Sequence, residues 1–265
     1  MYKYIDVSTF QGTIDWEKVK PQIDGAILRA GYGAGNIDAQ FVRNITECNR
    51  LGIPAGVYWF SYAHNAAKAL AEAKAVLRAV EPYRLDLPIA FDWEYDSVAY
   101  CRRQGVEPTP VLANKLAETF CRHIEQAGYY AMVYTNGDFL NRYFTDIKAF
   151  DLWYAAWPAN PDPAHPPRTC GIWQWGSSTI DGISGGVDTN AAYRNYPVLI
   201  RSAGLNHLSD PEPEPEPPTP PEPWYAPAMR WAKEQGICDG TRPEEPATRA
   251  EVAQMIMNYY KYFTK

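Results

Sequence analysis

The chain has little charge and little cysteine for its length. Asp, Glu, Lys and Arg make up 21% of its 265 residues, and no block of Lys or Arg occurs, which argues against a nucleic-acid tail. No stretch of 18 uninterrupted apolar residues is present, so a membrane-spanning helix is not expected. The five cysteines, Cys48, Cys101, Cys121, Cys170 and Cys238, are odd in number and widely spaced, with no C-x-x-C pair; they read as scattered thiols rather than a disulfide framework. The four histidines, His64, His123, His165 and His207, are also scattered. None pairs with a Ser or Cys in a catalytic order, which leaves acyl transfer without a nucleophile and zinc amidase chemistry without ligands. The opening MYKYIDVS lacks the charged start, apolar stretch and cleavage site of a secretory leader. It points to release by another route or to a leader ahead of this chain.

What is abundant is aromatic and proline. Nine Trp and 19 Tyr contribute to an aromatic content of 14%, more than a core needs, and both residues stack on flat ligands while keeping a polar tip wet. Sugar binding is the class this composition suggests. Of the 23 prolines, eight lie between Pro211 and Pro223. The segment SDPEPEPEPPTPPEP, residues 209–223, alternates Pro with Glu and carries five acids and no cation, so it should be a semi-rigid polyproline spacer of about 3.1 Å per residue. It accounts for most of the formal charge of −6 and leaves residues 1–208 close to neutral. Two domains follow, residues 1–208 and a short one at 224–265.

Within the large part, eight apolar runs read as strands: Tyr4 to Ser8, Gly25 to Gly33, Ile53 to Tyr62, Leu87 to Tyr95, Tyr130 to Asn136, Asp151 to Trp157, Gly171 to Gly176 and Gly186 to Asn190. Helical patterns at Ala39 to Leu51, Asn65 to Val80 and Thr109 to Ala127 lie between the earlier ones. Strands apolar on both faces and alternating with helices imply a parallel sheet. With helices thinning after Tyr134, the fold class is α/β, an irregular TIM-like barrel of eight strands.

In such a barrel chemistry sits at the C-terminal ends of the strands. Those ends carry Asp6, Tyr32, Tyr58, Asp92 with Glu94, Tyr134 with Asn136, Trp153, Gln174 with Trp175, and Asp188. The most informative stretch is FDWE. Asp92 and Glu94 at i and i+2 of a strand share a face, with Cα atoms about 6.6 Å apart. Two such acids repel, so one should hold its proton at a raised pKa. Glycoside hydrolysis needs this, one carboxyl group protonated for the leaving oxygen and another anionic. The longer side chain, Glu94, is the expected donor. Four carboxylates could also suit Mg²⁺ or Ca²⁺, but the aromatic surroundings favour a sugar, and neither metal nor cofactor is expected.

The ordered motifs YIDVSTFQGTIDW, RAGYG, GVYWFSYA, FDWE, VYTN, LWYAAW, IWQWG and GGVDTN resemble glycoside hydrolase family 25, lysozymes of the Chalaropsis type found in autolysins and phage endolysins. The resemblance spans residues 2 to 200. It implies about five helices around the eight strands and N-acetylmuramidase action on the β-1,4 bond following N-acetylmuramic acid in peptidoglycan. By it, Glu94 is the general acid. Asp92 is its partner, either a nucleophile or the group that orients the substrate's own 2-acetamido group, with retention of configuration by either route. Asp6 and Asp188 tune the acid and hold the sugar, Tyr58 is the active-site tyrosine, and Tyr32, Tyr134, Trp153 and Trp175 are groove-wall candidates. Trp59 departs from the pattern, since His often follows that tyrosine. The alternative is a non-catalytic wall-binding protein on the same scaffold.

The last residues read as two amphipathic helices, Ala226 to Gln235 closed by Gly236, and one opened by a Thr248/Glu251 capping box. They resemble a single S-layer homology repeat, with WA before GI and TRAE at the second helix. The implied partners are peptidoglycan glycan strands, and for residues 224–265 a secondary wall polymer or a second copy of the chain, acting at the bacterial cell wall.

Overall fold

The computed structural model describes residues 1–208, 223 and 225–264. The expected spacer at 209–223 therefore lies outside the described residues, Pro223 apart. Chain contacts divide the molecule into two compact units, Met1–Asp210 and Pro211–Lys265.

The first unit runs β1 (Tyr2–Val7), α1 (Trp16–Val19), β2 (Gly25–Tyr32), β3 (Asn36–Ile37), α2 (Phe41–Leu51), β4 (Ala55–Phe60), α3 (Ala66–Val80), β5 (Ile89–Asp92), α4 (Tyr95–Arg103), α5 (Pro110–Gln126), β6 (Ala131–Asn136), α6 (Gly137–Arg142), β7 (Asp151–Ala155), β8 (Ile172–Thr179), β9 (Gly186–Ala192) and α7 (Tyr196–Ser202). The strand order is β1-β9-β8-β7-β6-β5-β4-β2-β3, and β1 also pairs with β2. That last pairing closes eight strands into a barrel, with the two-residue β3 attached outside the ring. Seven helices accompany the strands, two more than the five expected; α1, α6 and α7 are short, at four, six and seven residues.

Local chemistry sets the boundaries. Asn65 accepts the Lys68 N–H and opens α3, while Thr109 accepts the Leu112 N–H with Pro110 at the first helical position. Gly52, at φ 69°, stops α2 in a left-handed turn. Not every strand is parallel. β9 runs antiparallel to both β8 and β1. Only residues 180–185 separate β8 from β9, and a parallel return needs a crossover of a dozen or more residues.

Alternation along the strands divides the core. Ile5, Val7, Leu28, Val57, Trp59, Phe91, Trp93 and Val133 point outward into the layer shared with the helices. Tyr4, Ile27, Ala90, Met132, Trp153, Ile172 and Ala192 fill the barrel interior. Residues two positions further along β1 and β5 point into the same interior near its C-terminal mouth, which is why acids come to lie there. No described helix is long and apolar enough to cross a membrane.

The second unit contains α8 (Ala226–Glu234) and α9 (Arg249–Phe263). Gly236 follows α8 at φ 68°, and the Thr248 side chain and Glu251 close a reciprocal capping box at the start of α9. Only Ile237 is buried among its described residues.

Candidate active site

A cavity of about 210 Å³ opens at the C-terminal end of the barrel strands, and Asp6, Asp92, Glu94 and Asp188 all line it. Strand register brings them there. Asp6 stands directly opposite Asp188 in the antiparallel β1–β9 pair, and Asp92 stands opposite Tyr134 in β5–β6. Tyr58, Tyr134 and Trp153 also line the cavity. Trp153 is almost fully buried, packs edge-on against Tyr134 at 4.7 Å and Tyr58 at 6.0 Å, and donates its indole N–H to Asn190 Oδ1 at 2.7 Å. It props the wall instead of offering an open face.

Glu94 differs from its sequence-based placement. β5 ends at Asp92, and Glu94 is the N-cap of α4 with extended backbone (φ −129°, ψ −162°). The extended conformation preserves the i, i+2 alternation, so both acids face the cavity although only Asp92 belongs to the strand. Trp93 between them points outward, where it is buried among Phe139, Tyr143 and Phe144. The Glu94 N–H donates to Ser97 Oγ at 3.0 Å, which seats the start of the helix.

The acids lie in an environment that resists charge. Asp6 is pushed up to about 7, first by burial and then by Asp188 across the strand pair. The amides of Gln174 and Asn190, donating to Asp6 Oδ2 at 3.0 and 2.8 Å, oppose that rise. Asp188 is raised by burial. Burial and the adjacent Glu94 hold Asp92 far above the usual carboxylate range. Glu94, half-buried at the mouth, is also raised by burial, while its hydrogen bond with Asp92 works the other way. Asp92 Oδ1 is buried with no hydrogen-bond partner among the described residues. Burial raises both carboxyls, and the charge of Glu94 raises Asp92 further, so the two titrate as a unit.

Of the remaining candidates, Tyr32 lies in an adjoining groove of about 450 Å³ with Tyr62 and Ile37, joined to the acid cavity through shared Phe10, Arg29 and Phe60. Trp175 lines neither; it sits where the β8–β9 register shifts between Gln174 and Gly176. Gln174, given no role at its strand end in the sequence, and Arg29 and Phe10, which the sequence did not single out, also converge. Gln174 links Asp6 to the Tyr134 hydroxyl (3.0 Å) and the Trp157 indole (3.2 Å). Arg29 is held by Asp38 at 2.7 Å and lies over the rings of Phe10 and Tyr32. Arg29 had a signal, an Arg two residues beyond an interior position of an apolar strand. Phe10, 81% exposed on the loop after β1, had none.

The model of glycosyl hydrolases family 25 matches residues 5–183, two thirds of the chain and all but the last of the barrel strands. The chain belongs to glycosyl hydrolase family 25. Among solved structures, the modular autolysin LytC of Streptococcus pneumoniae is similar with a TM-score of 0.61 and 33% identity, over 72% of this chain and 46% of that one. The chain thus spans under half the length of LytC. Lysozyme M1 of Streptomyces globisporus is 27% identical over 198 residues, 70% of this chain and 66% of that protein. YegX of Escherichia coli K12, described as an uncharacterized protein, is 26% identical over 196 residues, 70% of this chain and 67% of that protein. The family match ends before β9 and leaves the second unit outside it.

Proposed function

We propose that the chain is a peptidoglycan hydrolase, a lysozyme that cleaves the β-1,4 bond between N-acetylmuramic acid and N-acetylglucosamine at the bacterial cell wall. The observation that carries this reading is buried Asp92 beside Glu94 at the mouth, both held above the usual carboxylate range, in a cavity walled by Tyr58, Tyr134 and Trp153. The similarity to LytC, solved with a synthetic peptidoglycan ligand, and to Lysozyme M1 supports the choice of glycan.

In this mechanism Glu94 delivers the proton to the leaving oxygen, because it is the member of the pair at the mouth. As the pair gives up its proton, Asp92 is left as a carboxylate beside the developing positive charge of the sugar ring. From there Asp92 attacks the anomeric carbon or orients the 2-acetamido group to do so. Asp6 and Asp188 keep the local potential negative, which raises the proton affinity of Glu94 and stabilises an oxocarbenium-like transition state. Tyr58 and Tyr134 contact the sugar, while Tyr32 and the exposed Phe10 extend the surface along the adjoining groove.

The division of labour follows the chain. Residues 1–208 form the catalytic unit, 209–223 the spacer, and 224–265 an S-layer homology-like module that holds a secondary wall polymer, with self-association as its rival role. The small core of that module and the exposed aromatics of α9 support an adhesive part. Sedimentation of residues 211–265 with purified walls tests it; no co-sedimentation rejects wall binding.

For the activity, Gram-positive walls are digested and the released ends analysed by mass spectrometry. Muramic acid reducing ends are expected. N-acetylglucosamine reducing ends would move the cut to the other side of the same polymer, and no release at all would sink the hydrolase reading.

A further inference from the structure

Outside the cavity, on the helix-facing side of the barrel, Glu72 of α3 is 2% exposed. Its burial holds it up to about 7, and Lys68 is the cation that opposes this. A buried acid of that kind is costly, and here both of its oxygens are used on one short segment. Ser61 Oγ–H donates to Glu72 Oε2 at 2.5 Å and the Tyr62 N–H donates to Oε1 at 3.0 Å. The Ala63 N–H in turn donates to Ser61 Oγ at 3.1 Å.

Residues 61–63 follow β4 and have no strand partners of their own, yet they grip the strand that bears the acids. The Ser61 N–H donates to the Asp92 carbonyl at 2.7 Å. The Trp93 indole N–H donates to the Ala63 carbonyl at 3.2 Å, and Cys101 Sγ of α4 reaches the same carbonyl at 3.6 Å. The peptide that leads from Asp92 to Glu94 is therefore bonded at two points to a segment whose shape depends on one buried carboxylate.

We propose that Glu72 is a positioning residue for the Asp92–Glu94 pair, acting through Ser61, Tyr62 and Ala63. This rests on the proposed role of Glu94 as proton donor. An ångström of freedom at residues 61–63 passes to the Asp92 carbonyl and the Trp93 ring, and so to the angle at which Glu94 leaves β5. Glu72→Gln keeps the volume and its carbonyl can still meet the Tyr62 N–H, but its NH₂ must donate to Ser61 Oγ, whose own proton turns away and gives up the short bond to the carboxyl, so the segment relaxes while the sugar-lining side chains stay in place.

The test is steady-state kinetics on solubilised peptidoglycan chains with the full-length protein, comparing Glu72→Gln, Ser61→Ala and Glu94→Gln. For Glu72→Gln, kcat should fall about tenfold to a hundredfold with KM within twofold of the parent, and Ser61→Ala should change the same parameter in the same direction by a smaller factor. A purely structural role would lower the melting temperature and the active fraction, leaving kcat per folded molecule unchanged. That result, or an equal rise in KM, overturns the proposal. If Glu72→Gln does not fold, Ser61→Ala decides by the same split. Glu94→Gln separates the two questions: full activity there removes the acid assignment, whereas inactivity beside an unaffected Glu72→Gln removes only the positioning role.

Discussion

Asp92 and Asp151 occupy opposite ends of one barrel and solve the same problem differently. Asp151, the first residue of β7, is nearly buried at the N-terminal end, and every demand of its charge is met. Its Oδ2 accepts from the hydroxyls of Tyr130 (3.0 Å) and Tyr196 (2.8 Å) and pairs with Arg194 (3.2 Å), and its Oδ1 takes the Leu152 N–H (2.9 Å). Asp92, the last residue of β5, has an unpartnered oxygen, Glu94 beside it, and no ion pair. Asp38 and Asp86 follow the Asp151 pattern, paired with Arg29 and with Arg84. Asp38, Asp86 and Asp151 are thus neutralised by arginines where they hold the fold, whereas the acids at the barrel mouth are left in mutual conflict, where a proton must be kept available.

That contrast can be broken from either side. The largest effect is expected from Glu94→Gln, with turbidity loss of Gram-positive walls slowed about a thousandfold and the circular dichroism spectrum unchanged; wild-type lysis by this variant would refute the assignment. Asp92→Asn should slow lysis about a hundredfold. Because it removes a buried conflict rather than a satisfied pair, its denaturation midpoint should hold or rise, and a clear drop would contradict the picture. Asp151→Ala should do the reverse. It strands two buried hydroxyls and Arg194, costing roughly 2–3 kcal/mol in urea unfolding, while kcat per folded molecule stays at the parent value.

The smallest expected effect is a pH dependence. Asp6 is raised from 3.8 to about 7 in the folded barrel. The folded state therefore binds this proton more tightly than the unfolded state, so its contribution to stability is complete below about pH 4 and is lost as pH rises through 7. Asp92, Glu94 and Asp188 are shifted in the same direction. Melting temperature measured from pH 4 to 8 should decline across that window, and Asp6→Asn should flatten part of the decline. An unchanged slope would mean that Asp6 ionises freely in the fold.

The barrel was readable because its signals are local. Each of the eight apolar runs overlaps a strand of the ring, and the helix starts at Asn65, Thr109 and Thr248 are caps visible in the sequence. The FDWE stretch announced its chemistry by placing two acids two residues apart inside an apolar run. Trp175 and Tyr32 were harder to place, since a register shift in β8 and the turn after β2 decide which groove a strand-end aromatic reaches. Phe10 and Glu72 were not legible at all. One is a loop aromatic without periodicity, and the other sits in an alanine-rich helix, where a glutamate ordinarily faces water.

By itself, the sequence determined the alternation of strands and helices, the interior position of Asp6, Asp92 and Asp188, and the family, because side-chain periodicity and capping are properties of neighbours along the chain. Only the tertiary structure decided which carboxylates are compensated and which are not. That depends on Asn190 and Gln174 reaching Asp6, Arg194 reaching Asp151 and Ser61 reaching both Glu72 and Asp92. Charge regulation in a low-dielectric interior is set by what lies within a few ångströms in space, and closure of the barrel brings those groups together from distant parts of the chain.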